Sequence, residues 1–166
     1  MGKTKTLFIV RHGKSSWDNS TLSDIDRPLK ERGIIDAYSV ADKIKNNNLI
    51  PQLLVTSSAI RALHTATIFA RVLGINKEKI VILKELYQAE TEKIIQIIRS
   101  TSNDVNSLMI FGHNPGFTDV VNKLSNLSIS NLPTSGLVKI VFKVDRWKKI
   151  DKIVLVDESY EFPLKT

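Results

Sequence analysis

The sequence feature that most constrains the fold is a short apolar run, residues 7–10, which ends abruptly in Arg11, His12 and Gly13. Consecutive apolar residues bounded in this way are typical of a strand that is buried on both faces of a sheet. In open α/β folds, ligands bind beyond the carboxyl ends of the strands. Arg11 and His12 are therefore predicted to lie at the edge of the sheet where such a fold binds its ligand.

Strand and helix patterns alternate through the first three quarters of the chain. Further apolar runs predict strands at 53–56, 80–83 and 107–111. Helical periodicity predicts helices at about 30–46, from Ser57 or Ser58 to about 73, after Thr91, and after Pro115. Gly74 is predicted to end the second helix, while Asn114 and Pro115 are predicted to be the N-cap and first residue of the last one.

The C-terminal part of the chain has a different pattern. Segments 136–144 and 152–157 resemble two strands of a hairpin, joined by a basic turn around residues 146–149. Strands that alternate with helices and are followed by a hairpin predict a mostly parallel sheet covered on both faces. One antiparallel strand is expected near an edge of this sheet.

Length and composition favour a single domain over residues 1–166. The chain has a mass of 18.7 kDa, with 42% hydrophobic and 25% charged residues, as in an ordinary globular protein. No apolar run approaches the roughly 18 residues that a membrane span needs. The absence of cysteine excludes disulfides, a thiolate nucleophile and cysteine-bound zinc, so we expect a cytoplasmic protein without a membrane partner.

The chain is basic, with a formal net charge of +7. A positive surface favours anionic partners such as phosphates, acidic proteins or nucleic acid. Nucleic acid is kept only as an unfavoured third alternative, because the sequence holds no known binding motif and no basic stripe interleaved with aromatic residues.

Four side chains are expected to meet at one edge of the sheet. Arg11 and His12 follow the first strand, Arg61 lies shortly after the second, and His113 follows the fourth. Parallel strands bring these positions together, and each of the loops leads to a helix N-terminus, which favours an anion. Arginine suits a phosphoryl dianion because its planar guanidinium binds two oxygens at once and keeps its charge.

In such a pocket one imidazole can attack phosphorus and become transiently phosphorylated. The remaining cations would stabilise the equatorial oxygens of the transition state, so neither a metal nor a cofactor is expected. A lone histidine at a strand end is more often a local hydrogen-bonding residue, but His12 and His113 stand beside arginines in matching positions. His64, one helical turn after Arg61, is interpreted as a surface or packing residue.

Other phosphate and hydrolase motifs do not match. Gly13, Lys14 and Ser15 end like a P-loop, but the position that requires the first glycine holds Phe8. The three histidines lack the spacing of a zinc protease, and no G-x-S-x-G elbow is present.

Five motifs occur in order along nearly the whole chain, and together they are far more specific than an isolated Arg-His-Gly. They are Arg11-His12-Gly13-Lys14-Ser15-Ser16-Trp17, Asp26-Arg27-Pro28-Leu29 with Gly33, Ser57 through Arg61-Ala62 with Thr65-Ala66, Gly112-His113-Asn114-Pro115-Gly116, and Thr134-Ser135-Gly136. With them the chain resembles the histidine phosphatase, or phosphoglycerate mutase-like, superfamily, and within it the compact SixA-type phosphohistidine phosphatases. The resemblance implies a three-layer α/β/α sandwich with a six-stranded, mostly parallel sheet.

The resemblance also implies roles for the site residues. His12 would be the phosphorylated nucleophile, and Arg11, Arg61 and His113 would complete the phosphate pocket. Ser15 and Asn114 would be additional substrate-binding residues. Larger relatives carry a glutamate proton donor after the third strand; here Glu85 is the choice for it, with Glu90 as the alternative.

The resulting hypothesis is a metal-independent phosphatase that acts on a phosphohistidine-bearing protein domain. Imidazole leaving from phosphohistidine is less basic than an alkoxide, so this substrate has less need of a strong acid in the enzyme. The alternatives are a phosphomonoesterase for small phosphate esters and a phosphate-binding regulatory module without turnover. A mutase is less favoured, since it must exclude water from the phosphoenzyme. We expect the protein to be a monomer.

Overall fold

The fold is an α/β/α sandwich, which the computed structural model describes for residues 2–165. Six strands form one sheet, and they are β1 (Lys5–Arg11), β2 (Leu53–Thr56), β3 (Ile80–Ile82), β4 (Ser107–Gly112), β5 (Leu137–Phe142) and β6 (Leu155–Glu161). Four α-helices cover the sheet, and they are α1 (Glu31–Asn46), α2 (Ile60–Leu73), α3 (Thr91–Arg99) and α4 (Gly116–Leu124). The predicted architecture is confirmed.

The three layers follow from the alternation of side chains along β1. Leu7 and Ile9 pack in the same core cluster as the buried faces of α3 and α4. Phe8 and Val10 point to the other face and pack with α1 and α2. Because successive side chains of a strand point to opposite faces, a continuous apolar run supplies both cores at once.

The sheet is parallel except at β5. The strand order is β3-β2-β4-β1-β5-β6, in which β1, β2, β3 and β4 run parallel, while β5 is antiparallel to both of its neighbours. The predicted hairpin is confirmed as the β5–β6 pair. The one antiparallel strand is thus second from the edge.

The connection inside this hairpin is longer than the predicted basic turn. Two short 3-10 helices, Trp147–Lys149 and Lys152–Val154, separate the strands, so β6 begins at Leu155 and the prediction of a strand from residue 152 was wrong. Trp147 causes the difference: its ring is fully buried, and its Nε1–H donates to the Val105 carbonyl at 2.7 Å. This anchor draws the segment back over the core before the strand can begin.

The ends of the helices differ in detail from the prediction. Gly74 does end α2, with φ of 68° in the left-handed region that glycine favours. Neither Ser57 nor Ser58 caps the N-terminus of α2. The helix begins only at Ile60, and the Ser57 hydroxyl lies against His113. Similarly α4 begins at Gly116, one residue later than predicted.

The register of the sheet fixes where the candidate residues emerge. Arg11 pairs with Gly112 across β1 and β4, and Thr56 pairs with Phe111 across β2 and β4. The loops that follow the three strands therefore begin at the same edge. In the part of the chain that the structure describes, no helix is both long and apolar enough to cross a membrane.

Candidate active site

His12 is held at the carboxyl end of β1 with one ring nitrogen occupied. Its backbone N–H donates to the Gly112 carbonyl at 3.1 Å, and its side chain is buried. Nδ1 lies 2.7 Å from the Gly13 carbonyl oxygen. Because a carbonyl only accepts, we assign the proton to Nδ1, which leaves the lone pair of Nε2 free in the neutral ring. This is the tautomer that a nucleophilic imidazole needs.

The surroundings keep the His12 imidazole neutral. Burial lowers its pKa to about 4, and the positive charges of Arg61, Arg11 and Arg27 act in the same direction. The contact with the Gly13 carbonyl opposes the shift without cancelling it. At neutral pH His12 therefore carries no positive charge and its Nε2 lone pair is available.

His113 is fixed in the opposite tautomer, between Arg61 and Ser57. The Arg61 Nη2, which can only donate, lies 3.4 Å from His113 Nδ1, and the Ser57 hydroxyl lies 2.6 Å from Nε2. These partners assign the proton to Nε2. Burial, then the proximity of His12 and Arg61, lowers the pKa of His113 to about 3. The two imidazole centroids are 5.1 Å apart, so both predicted histidines lie in one site.

Arg61, in the first turn of α2, also reaches a residue that the sequence did not single out. Its Nη1 donates to the backbone oxygen of Asp24 at 2.6 Å, and its Nη2 donates to Asp24 Oδ2 at 3.0 Å. Asp24 begins a short 3-10 helix, Asp24–Asp26, in the loop between β1 and α1. This loop is therefore joined to Arg61 through one residue, Asp24, by its backbone oxygen and its carboxylate.

The Asp24 carboxylate accepts hydrogen bonds from three side chains. Tyr87 donates its hydroxyl to Oδ2 at 2.5 Å, and Arg27 donates to Oδ1 at 3.0 Å, in addition to the bond from Arg61. These bonds, that of Tyr87 first, hold the pKa of Asp24 far below its usual range despite partial burial. The carboxylate is therefore ionised at every pH at which an enzyme of this kind would work.

The hydrogen-bond donors of Arg11 are less completely paired than those of Arg61. Its Nη1 donates to the Leu132 carbonyl at 2.9 Å, but its buried Nε–H has no partner among residues 2–165. Burial lowers the pKa of the guanidinium, and the charge of Arg61 adds to the effect. A buried donor without a partner costs about 1–3 kcal/mol. A bound anion would remove this cost.

A cavity of about 290 Å³ joins these groups, and its walls carry cations and no carboxylate. Its lining residues are Arg11, His12, Lys14, Ser15, Trp17, Arg27, Lys30, Arg61 and Thr134. The Ser15 hydroxyl accepts from Arg27 Nη2 at 2.5 Å. The predicted residues Arg11, His12, Ser15 and Arg61 are thus brought to one cavity with a cationic lining, and His113 lies beside it.

The predicted Glu85 and Asn114 lie elsewhere. Glu85 is exposed on the 3-10 helix Lys84–Leu86 and has no hydrogen bond or ion pair with any residue that the structure describes. The alternative, Glu90, lines a second cavity of about 600 Å³ together with His113 and Asn114. The Asn114 amide donates to the Leu132 carbonyl at 2.9 Å, so this side chain anchors its own loop.

Four residues were not assigned to the site from the sequence, namely Asp24, Arg27, Tyr87 and Ser57, although Arg27 and Ser57 stand in two of its motifs. Ser57 directly follows β2 and could have been found from its place at the carboxyl end of a strand. The other three lie in irregular segments, where no periodicity indicates which side chains turn inward. Arg27 belongs to the Asp26-Arg27-Pro28-Leu29 motif, but nothing in the sequence shows that it binds Asp24 and Ser15.

A family model of the histidine phosphatase superfamily (branch 1) matches residues 7–110, the part that carries His12 and Arg61. The chain belongs to the histidine phosphatase superfamily. An uncharacterised chloroplastic protein of Arabidopsis thaliana is 32% identical over 134 residues, which cover 76% of this chain and 62% of the plant protein. This chain thus spans less than two thirds of the length of that relative.

Solved structures of histidine phosphatases have the same fold. The putative phosphohistidine phosphatase SixA of Agrobacterium tumefaciens has a TM-score of 0.76 and 27% identity, with 93% of this chain and 97% of the other covered. The protein histidine phosphatase SixA in complex with tungstate has a TM-score of 0.74 and 20% identity, with 95% and 94% covered. Between residues 2 and 165, no three histidine or carboxylate side chains are grouped in a way that could hold a metal ion.

Proposed function

We propose that this histidine phosphatase hydrolyses phosphoryl groups through a phospho-His12 intermediate, and that its substrate is phosphohistidine on a protein. The observation that carries the proposal is the state of His12. Its Nδ1 is bound to the Gly13 carbonyl, its pKa is lowered to about 4, and it lines a cavity with Arg11 and Arg61. A free Nε2 in a cationic cavity has the properties of a nucleophile for phosphorus.

In the first step the Nε2 lone pair attacks phosphorus, and the bond from phosphorus to the leaving group breaks. The leaving group takes the electron pair of that bond, and the imidazole becomes phosphorylated. Arg11 and Arg61 bind the equatorial oxygens, whose charge they stabilise in the transition state. His113, neutral with its proton on Nε2, adds no positive charge to that of the arginines and lysines of the pocket.

In the second step water attacks the phosphorus of phospho-His12. The N–P bond breaks, its electron pair returns to Nε2, and the product leaves as dihydrogen phosphate, which keeps both protons of the water. The Gly13 carbonyl keeps the Nδ1 proton in place throughout, so the ring regains its starting tautomer. Neither step needs an oxidant, a reductant or a second substrate.

The groups around His113 favour a leaving group that needs little help from an acid. Asp24 is ionised, and burial together with its bond to Asp24 raises the pKa of the Tyr87 hydroxyl. Neither is a good proton donor at neutral pH. Imidazole leaving from phosphohistidine can be protonated beforehand, whereas an alkoxide must be protonated in the transition state. The likeness to SixA proteins supports the same substrate.

Hydrolysis of small phosphate monoesters is the second candidate, and Glu90 is the observation in its favour. Its side chain lines the cavity of about 600 Å³ that His113 also lines. A carboxylic acid in this position could protonate an alkoxide as it leaves.

The decisive experiment is to trap the intermediate. Wild-type protein is mixed with a domain that carries ³²P-phosphohistidine, quenched within milliseconds in alkali, and separated from the substrate domain. We expect label on this chain that is stable to alkali, is lost in acid and maps to His12. The variant His12→Ala should take up no label and release no phosphate above background.

His64→Ala is the matched control. His64 is half-buried on α2, and His12 and His113 are the two histidines that form the site. The control variant should label like wild type. Phosphate release by His12→Ala at the wild-type rate would overturn the proposed mechanism.

A further inference from the structure

Two lysines extend the cavity beyond the groups that would hold the transferred phosphoryl. Lys14 and Lys30 line the same cavity of about 290 Å³ as His12. This volume is close to ~300 Å³, the lower end of the range for small-molecule sites, and exceeds what one phosphoryl group needs. Lys14 and Lys30 therefore mark a part of the cavity wall that the reaction at His12 does not use.

The backbone holds both lysines in place. The Lys30 N–H donates to the Lys14 carbonyl at 2.8 Å, and the residues next to them, Ser15 and Leu29, form an antiparallel bridge. Gly33 permits this close approach, since a Cβ there would lie 2.2 Å from the Lys14 oxygen. The two segments are thus joined at the cavity wall, and the lysine side chains start from a rigid base.

Among the residues that the structure describes, none balances the charges of Lys14 and Lys30. Asp24 pairs with Arg27 and Arg61, whereas neither Lys14 nor Lys30 has an ion pair or side-chain hydrogen bond with any residue from 2 to 165. Lys30 also directly precedes the first residue of α1, where the helix dipole disfavours a cation. Both lysines stand in positions that a bound anion would stabilise.

We propose that Lys14 and Lys30 form a second anion subsite, which binds another anionic group of the substrate beside the phosphoryl group. The proposal rests on the proposed function for the reaction at His12. The ligand of the subsite is a carboxylate or phosphate that lies close to the scissile bond. The substrate class is thereby narrowed from any phosphorylated imidazole to one with a neighbouring negative charge.

An acidic residue next to phosphohistidine on a protein is the source that we favour. Trp17 lines the cavity and stacks on Arg27, with the guanidinium carbon 3.1 Å from the ring centroid, yet it is 71% exposed. Because the part of the cavity wall at Trp17 is open to solvent, the surface of another protein has room to approach it. A second phosphate on a small molecule has the same chemistry and is separated by the test.

The test measures binding first, so that it does not depend on turnover. Wild-type protein is titrated calorimetrically with methylphosphonate and with bisphosphonates of one, two and three carbons. We expect the best bisphosphonate to bind about tenfold more tightly than methylphosphonate, as two exposed charge pairs allow. The variant Lys14→Ala/Lys30→Ala should lose about fivefold or more of this preference.

Lys148→Ala/Lys152→Ala is the matched control, because it removes the same charge at the other end of the sheet. β5 runs from Leu137, beside Val10, to Phe142, beside Lys5, and both control lysines follow it and are exposed. The control should keep the preference of wild type. Equal losses in the two double variants, or no loss in either, would overturn the subsite.

Measurements of turnover then distinguish the two sources of the anion, an acidic residue of a protein and a second phosphate on a small molecule. A phosphohistidine domain with acidic residues around the histidine is compared with the same domain after these are changed to amides. If the acidic residues are the ligand, Lys14→Ala/Lys30→Ala lowers kcat/KM for the first domain by severalfold more than for the second. Equal effects on both domains, together with loss of the bisphosphonate preference in Lys14→Ala/Lys30→Ala, assign the subsite to a doubly phosphorylated small molecule. If wild type hydrolyses neither domain, the proposed function fails, while the bisphosphonate titration still decides the subsite.

Discussion

Arg61 Nη2 lies 3.0 Å from Asp24 Oδ2, and the same guanidinium binds the Asp24 backbone oxygen through Nη1 at 2.6 Å. Arg61 comes from the first turn of α2, whereas Asp24 comes from the loop before α1. Two contacts to one residue orient the planar guanidinium and leave Nη2 within reach of His113. Asp24 therefore positions the arginine that we propose binds the phosphoryl group.

Replacing Asp24 by Asn should impair catalysis without unfolding the protein. The amide keeps the shape of the side chain but loses the charge that orients Arg61, and misplacement of such a group costs about tenfold or more in rate. We expect kcat/KM for phosphohistidine to fall by about tenfold. Asp26→Asn is the control: Asp26 lies on the same 3-10 helix, and among the described residues its side chain is bonded only to Ser23. An Asp24→Asn enzyme as active as the control would show that Arg61 is oriented by other contacts.

The pKa of His12 leads to a prediction about pH. Its usual value of 6.5 applies to the unfolded chain, and the folded value is about 4. As the pH falls below 6.5, the unfolded state binds the proton first, so the free energy of unfolding decreases until the pH passes about 4. Above pH 6.5 this contribution is complete and constant.

Two measurements check this prediction. The imidazole NMR signals of His12 should keep their neutral shifts down to about pH 5 and titrate near pH 4. Urea unfolding at pH 7 and pH 5 should show a smaller loss of stability for His12→Asn than for wild type. A His12 that titrates near 6.5 would contradict the proposed electrostatics.

Thr65 connects the loop after β1 to α2, and its removal should destabilise the protein. Its hydroxyl accepts from the Gly13 N–H at 2.9 Å and donates to the Arg61 carbonyl at 2.7 Å, in a fully buried position. Thr65→Val keeps the volume but leaves the Gly13 N–H unpaired, which costs about 1–3 kcal/mol in the free energy of unfolding. Urea unfolding measures this loss.

Thr67→Val provides the control on the same helix. The Thr67 hydroxyl makes the same kind of bond, to the Leu63 carbonyl at 2.8 Å, but accepts no N–H from any other described segment. Its replacement should change the free energy of unfolding by about 0.5 kcal/mol or less. Equal losses in the two variants would mean that the Gly13 contact contributes nothing.

Variants of Glu85 and Glu90, assayed with two substrates, can show which of the two glutamates is the proton donor. The sequence resemblance favours Glu85, whereas the cavity beside His113 contains Glu90. We expect Glu90→Gln to lower kcat/KM for an alkyl phosphate by at least tenfold and for phosphoimidazole by less, because only the alkoxide needs the proton. Glu85→Gln is the comparison, and a larger loss there would assign the donor to Glu85.

The elements that the sequence predicted well are those with strong local signals. The strand at 53–56 was predicted to the residue, and α4 buries Phe117, Val120, Val121 and Leu124 as its periodicity indicates. Apolar runs and helical faces are repeated along the chain, so their signal accumulates over several residues. The hairpin connection was wrong because a single side chain, Trp147, decides it through a contact with distant Val105.

The sequence by itself determined the order of strands and helices, and with it the edge of the sheet where Arg11, His12, Arg61 and His113 emerge. This follows from local patterning, because the carboxyl ends of parallel strands lie at the same edge of the sheet for any conformation of the loops. Only the tertiary structure decided the tautomers of the two histidines, the role of Asp24 and the position of Glu90. Those depend on which atoms of separate loops come within about 3 Å of each other, and hydrogen-bond distances are set by packing rather than by any local pattern.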